Sequence, residues 1–315
     1  MDLRIFTEPQ LGASFVTLLG AAQATRDAGF SAFFRSDHIL KMDSADGLPG
    51  PSESFVTLAA IAARVPDIRL GTLVTSATFR HPSMLAIAAA NIDDISGGRL
   101  ELGLGSGWYE QEHTAYGVPF GRSFGERFDR LTEQLEIITG LWDTPPGGSF
   151  DYRGAHFQLA GAPGLPKPQQ IGRSGTPRVP IIIGGNGRKR TPALAARFAD
   201  EFNIGFVDLQ SVAAQVQRVR AACETAGRDP ETLIYSGAQA LCLGRDDAEV
   251  RRRTQTIGLA EQRPDSDLAG TPQRVIDTLS RWGEAGVQRM YLQVLDPTDL
   301  DHIELAGQEL IPAVA

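Results

Sequence analysis

The chain has only two cysteines among its 315 residues, Cys223 and Cys242, each alone in an otherwise regular segment. That excludes a disulfide framework and fits a reducing compartment. No apolar run reaches membrane-spanning length, and Met1-Asp2-Leu3-Arg4 lacks the apolar core of a signal peptide, so a cytoplasmic location is expected. Positive charge is not in excess either. A formal net charge of −8 argues against a general nucleic-acid binder and against attachment to an anionic membrane. Metal-ligand spacing is missing as well. Asp37, His38, His81, Glu112 and His113 fall near expected strand ends, but no pair has the i, i+4 spacing of a helical metal motif, and no cysteine accompanies them. No metal is therefore expected.

What is present is ordinary globular material, 42% hydrophobic and 22% charged, ample for a core. The apolar pattern predicts strands at Leu3–Thr7, Ser31–Asp37, Ile68–Ser76, Arg99–Gly105, Ile181–Gly184, Glu201–Phe206, Leu233–Leu243 and Arg289–Val294. Helices are expected at Ser14–Ala28, Phe55–Arg64, Pro82–Ile95, Phe124–Leu141, Thr191–Ala199, Val212–Ala226, Asp246–Thr256, Pro272–Ala285 and Asp299–Leu310. Lys41–Ser54 reads as a loop. Thr144–Val179, rich in proline and glycine, interrupts the rhythm, with Phe150–Tyr152 and His156–Leu159 as a small hairpin. The β-then-α order resumes directly after it, so residues 144–179 read as an insertion in one domain spanning 1–315. Eight strands alternating with helices predict an α/β fold, a (β/α)8 TIM barrel with that insertion before strand five. A doubly wound open sheet is the runner-up, but its glycine fingerprint belongs after the first strand.

In such a barrel the site lies at the C-terminal strand ends. The most informative stretch is Pro180–Arg190. A short isoleucine run there gives way to Gly184, Gly185, Asn186 and Gly187, then to Arg188, Lys189 and Arg190. Thr191 and Pro192 read as an N-cap and first helical residue. Strand, glycine turn and helix start together offer backbone N–H groups and a positive dipole end to an anion such as a cofactor phosphate. A tight turn with basic surface residues is the other reading. His38, after the second strand with Asp37 beside it, is a candidate acid or base because imidazole titrates near neutrality. Thr75 and Ser76 end the third strand, where hydroxyls and backbone amides suit the polar edge of a ring system, or merely a buried strand passing into a helix. Gly103, Gly105 and Gly107, with Ser106 and Trp108, leave room either for something flat or for close packing.

Read in order, these pieces resemble the luciferase-like family of flavin- and deazaflavin-dependent oxidoreductases. The residues carrying the resemblance are Ala28-Gly29-Phe30 to Ser36-Asp37-His38, Arg69–Thr75, Phe79-Arg80-His81-Pro82, Asp94–Gly105 with Gly107-Trp108, Pro180–Gly187 and Ala195–Asn203. They cover nearly the whole chain and look closest to the actinobacterial branch that uses coenzyme F420. The resemblance implies a barrel, often a homodimer, with a small-molecule substrate and the cofactor ring at the strand ends. It implies a non-prolyl cis bond at Leu73–Val74 behind the ring, the cofactor phosphate at Gly184–Gly187, and Asn203 near the ring or its side chain. Expected cofactor contacts are thus Leu73, Val74, Thr75, Ser76, Gly105, Ser106, Gly107, Trp108, Gly184, Gly185, Asn186, Gly187, Arg188 and Asn203.

In the family's F420-dependent sugar-phosphate dehydrogenases a His after the second strand acts with a Trp and a Glu. His38 matches the His, while Met42 stands at the Trp position and Trp108 at the Glu position. The expected function is hydride exchange between F420 and a small organic substrate, with His38 moving the proton and Asp37 orienting it. Met42, Phe79, Trp108 and His113 would line the substrate pocket, with Phe33 and Phe34 adding apolar wall, although Phe33 reads equally as barrel core. An FMN-dependent monooxygenase and a non-catalytic flavin- or deazaflavin-binding protein are the alternatives.

Overall fold

The computed structural model describes residues 1–42, 45–258 and 268–314, so Asp43 and Ser44 of the expected Lys41–Ser54 loop lie outside the described residues. The elements run β1 (Asp2–Thr7), α1 (Phe15–Asp27), β2 (Ala32–Arg35), α2 (Ser54–Arg64), β3 (Arg69–Ser76), α3 (Pro82–Ser96), β4 (Leu100–Gly105), α4 (Glu110–Tyr116) and α5 (Phe124–Asp143). There follow β5 (Phe150–Arg153), β6 (Gln158–Ala162), β7 (Ile181–Gly184), α6 (Arg190–Phe198), β8 (Glu201–Gly205), α7 (Leu209–Thr225) and β9 (Ile234–Leu243). The chain ends in α8 (Asp247–Thr256), β10 (Leu268–Gly270), α9 (Pro272–Glu284), β11 (Arg289–Val294) and α10 (Leu300–Val314).

The strand order β11-β1-β2-β3-β4-β7-β8-β9, closed by β9 pairing back to β11, makes an eight-stranded parallel barrel. This is the (β/α)8 barrel expected from the sequence. The antiparallel hairpin β5–β6 stands before β7, each strand ending later than the expected hairpin, and β10 adds a short edge to β9. The seventh expected strand and α4, the latter unforeseen, are both within the described residues.

Alternation along each strand sorts the core into two layers. Ile5, Phe33, Ile181, Ile183 and Leu292 pack outward under the helices. Phe6, Phe34, Leu73, Ile182 and Tyr291 fill the barrel itself, with Tyr291 edge-on to Phe34 at 4.9 Å. Phe33 therefore takes the core reading, and Phe34, read as a pocket wall, is likewise wholly buried and lines no open site. A strand with both faces covered buries its aromatics whichever way they point.

Candidate active site

His38 leaves β2 on the C-terminal rim, one-fifth exposed, with Nδ1 3.1 Å from both carboxylate oxygens of Glu112. A carboxylate only accepts, so Nδ1 carries a hydrogen and Nε2 is left to exchange a proton. Glu112, only 1% exposed, also accepts the Ile39 backbone N–H at 3.1 Å. Burial disfavours a charged imidazole here. The hydrogen bond to Glu112 and the negative charges of Glu8, Glu112 and Asp37 outweigh burial, so the His38 pKa rises above its ordinary 6.5. Glu112 is held in reach by α4, which begins at Glu110, five residues after the last residue of β4.

Asp37 does not orient His38. Its carboxylate accepts from the Ser54 hydroxyl at 2.6 Å, from Thr75 and from both terminal nitrogens of Arg80. A two-pronged guanidinium–carboxylate contact is a far stronger claim on Asp37 than an imidazole N–H, which is why the expected pairing is absent. Asp37 thus braces β2 against α2, β3 and the approach to α3. Arg80 is held charged in turn, because Asp37 and Glu53 offset the burial that opposes its charge.

His113 and Phe79 also differ from expectation. His113 is buried, with Nδ1 2.9 Å from the Tyr109 carbonyl and Nε2 2.6 Å from the Thr78 hydroxyl, and its ring stacks on Phe79 at 4.7 Å. The carbonyl fixes the hydrogen on Nδ1. Both nitrogens and one face of the imidazole are committed, so this pair ties α4 to the β3–α3 connection and presents little to a substrate. Trp108, in contrast, is 67% exposed and lies edge-on to His38 with ring centroids 5.4 Å apart. It stacks on Tyr109, whose hydroxyl donates to the Lys41 carbonyl at 3.0 Å and so fastens the loop carrying the half-buried Met42.

At the end of β3 the Leu73–Val74 peptide is cis, as the resemblance implied, and the β3–β4 register shifts between Thr72 and Thr75. Val74 explains the neighbouring glycines. A Cβ at Gly103 would meet the Thr72 carbonyl and come 2.9 Å from Val74, one at Gly105 would also come 2.9 Å from Val74, and one at Gly184 would lie at 3.3 Å. Of the two readings left open for this run, close packing holds at Gly103 and Gly105. Gly107 has φ +81°, and a Cβ there would collide with the Ser76 hydroxyl. Ser76 Oγ is 2.6 Å from Thr78 Oγ1, while the Thr75 hydroxyl is committed to Asp37. Ser106 remains half-buried between the two glycines.

The Gly184–Gly187 loop links β7 to α6. Gly185, at φ +134°, donates its N–H to the Asn203 carbonyl at 3.3 Å, and the Asn186 side chain donates to the Gly205 carbonyl at 3.2 Å. Asn203 itself is buried, donating to Ser236 at 2.9 Å. Thr191 is not the N-cap. The helix opens at Arg190 after Lys189, no side chain caps it, and Thr191 is buried against Gly187. Its hydroxyl packs into the glycine turn instead of outward over the first N–H groups. Arg190 is occupied, paired with Asp129 and donating to the Gly125 carbonyl, whereas Arg188 and Lys189 are exposed and enter no ion pair among the described residues.

Sequence reasoning missed Glu112 as the partner of His38. The signal was a carboxylate four residues past Trp108, the position read as lacking one. It also passed over Phe206, the residue after β8.

The chain has the architecture of a solved F420-dependent secondary alcohol dehydrogenase in complex with an F420–acetone adduct, with a TM-score of 0.85 over 100% of this chain and 99% of that one at 17% identity. Along 310 residues it is 27% identical to the pyrimidine monooxygenase RutA of Stutzerimonas stutzeri, covering 94% of this chain and 78% of that protein. Along 240 residues it is 30% identical to the F420-dependent hydroxymycolic acid dehydrogenase of Mycobacterium tuberculosis, covering 74% of this chain but 61% of that protein. No helix among the described residues is long and apolar enough to cross a membrane. The pattern of the luciferase-like monooxygenases matches residues 2–296, and the chain belongs to that family.

Proposed function

We propose that the chain is an F420-dependent oxidoreductase exchanging a hydride between the deazaflavin and a small organic substrate, with His38 moving the accompanying proton. The observation that carries this reading is the His38–Glu112 pair after β2, an imidazole one-fifth exposed with Nδ1 anchored on a buried carboxylate and Nε2 outside that pair. The donor set of the glycine loop fits a phosphate-bearing cofactor: α6 starts without a side-chain cap, and Arg188 and Lys189 beside it enter no ion pair among the described residues. When bound, the deazaflavin supplies the hydride chemistry. Leu73–Ser76, Gly105–Trp108 and Asn203 are the strand-end residues that would flank its ring.

His38 Nε2 gives a proton to the substrate oxygen in the reducing direction and takes it back in the oxidising one. Glu112 holds Nδ1–H in place throughout, and the Trp108 ring shelters one edge of the imidazole from water. Identity to the F420-dependent dehydrogenase supports the deazaflavin reading. Identity to the pyrimidine monooxygenase favours a second reading, an FMN-dependent monooxygenase using the same rim. Titration of the purified protein with F420 and separately with FMN, followed by tryptophan fluorescence, separates them. Tight F420 and weak FMN binding is expected. The reverse order moves the protein to the FMN reading, with oxygen uptake as the next assay, and binding of neither overturns both.

A further inference from the structure

Phe206 follows β8 on the C-terminal rim with φ +54°, and 49% of it is exposed. A bulky aromatic in the left-handed region is an outlier, because its Cβ crowds the adjoining carbonyl. Asp67, the other non-glycine residue with positive φ among the described residues, is of a type that adopts this region readily. The surroundings hold Phe206 in place from both sides. Its N–H donates to the Ala238 carbonyl at 2.9 Å, and Gln239 donates to the next carbonyl, that of Val207, at 2.8 Å. Asn186, from the glycine loop, donates to the preceding carbonyl, that of Gly205. Packing gives no reason for the conformation, since half the residue faces solvent and no aromatic or cation–π contact engages its ring among the described residues. Residues held in such regions by over-determined surroundings gather at ligand sites.

We propose that Phe206 is a contact residue for the bound cofactor, its backbone tied through the Gly205 carbonyl to Asn186 of the glycine loop proposed to receive the phosphate. This rests on the flavin-type reading of the rim given above. A flavin or deazaflavin offers a flat ring and a polyhydroxylated chain, and an aromatic face packs against either. Phe206 is then kept for binding at the expense of backbone comfort, so stability and affinity respond to its replacement in opposite directions.

The test uses wild type, Phe206→Asn, Phe206→Leu and Phe206→Tyr, each titrated with F420 and with FMN by tryptophan fluorescence and melted without ligand. Asparagine accepts positive φ, so Phe206→Asn is expected to hold or raise the midpoint by about 2 °C while weakening the preferred cofactor about tenfold. Phe206→Tyr is expected to keep the affinity. Unchanged affinity in Phe206→Asn overturns the proposal. Should that variant fail to fold, Phe206→Leu, which keeps apolar bulk without a ring, must still lose affinity severalfold, and full retention overturns the proposal equally. If wild type binds neither cofactor, the flavin-type reading falls first. If wild type binds and all variants match it, only the assignment of Phe206 falls.

Discussion

The two rims of the barrel handle charge in opposite ways. At the N-terminal rim Arg4 donates to Glu101 at 2.5 Å and to Asp2 at 3.0 Å, Arg69 also donates to Glu101, and Arg289 bridges Asp2 and Glu201. Burial opposes ionisation of Glu101, yet Arg4 and Arg69 flanking it bring its pKa below the usual carboxylate value. A cavity of about 310 Å³ opens beside this network, lined in part by Arg4, Arg69, Glu101, Glu201 and Arg289. At the C-terminal rim Arg80 is paired with Asp37 and Glu53, but other groups are left available among the described residues: His38 Nε2, an exposed Trp108, an uncapped helix start, and Arg188 and Lys189 outside any ion pair. Most charges at the strand starts answer one another, although among the described residues the Arg178 Nε and Glu201 Oε1 atoms beside the cavity do not. Groups whose partners are absent are what a ligand can use.

The sharpest way to break the comparison is at the paired rim. Glu101→Leu leaves the buried Arg4 guanidinium short of its main partner and is expected to destabilise the fold by about 3 kcal/mol, read by denaturant unfolding, with cofactor affinity preserved in the folded fraction. A variant as stable as wild type would mean that the network closes nothing.

At the open rim the ranking reverses. His38→Ala is expected to lower turnover by about 10²–10³-fold while cofactor binding holds, with some loss of stability because the buried Glu112 loses its imidazole partner; undiminished turnover would remove His38 from the reaction. Glu112→Gln sharpens the point through pH. Glu112 raises the His38 pKa, so a reductive rate needing the protonated imidazole declines as pH rises through that raised value, and in the variant the decline moves to lower pH. The same raised pKa contributes stability that is full below about 6.5 and lost as pH rises through the folded value, and Glu112→Gln removes it. A pH profile that does not move would show that Glu112 packs but does not tune. The smallest effect is expected at Arg188→Ser: affinity for the phosphate-bearing cofactor about two- to fivefold weaker at low salt, and stability changed by under about 0.5 kcal/mol. A larger loss of stability would place Arg188 with the paired rim.

Most of the fold could be read along the chain because its signals are local. The isoleucine run before Gly184 and the apolar patterns of α1, β4 and α5 each act within a few residues, and each predicted a strand or helix found within a residue or two of its expected place. The candidate site was legible only in part. His38 could be picked out because a histidine after a strand end is a local pattern. Its partner could not: Asp37 is adjacent in sequence and Glu112 is 74 residues away, and only the closed barrel brings β2 and α4 together.

The sequence by itself therefore determined the alternation of strands and helices, the barrel that follows from it, the glycine turn and basic residues before α6, and the family. Tertiary structure alone decided which carboxylate serves His38, that Arg80 takes Asp37, that Gly103 and Gly105 make room for Val74, that His113 and Phe79 brace one another, and that Phe206 stands exposed in a left-handed turn. The division follows from range. Periodicity and turn chemistry act over a few bonds, whereas hydrogen-bond competition and packing depend on which distant atoms arrive first within reach.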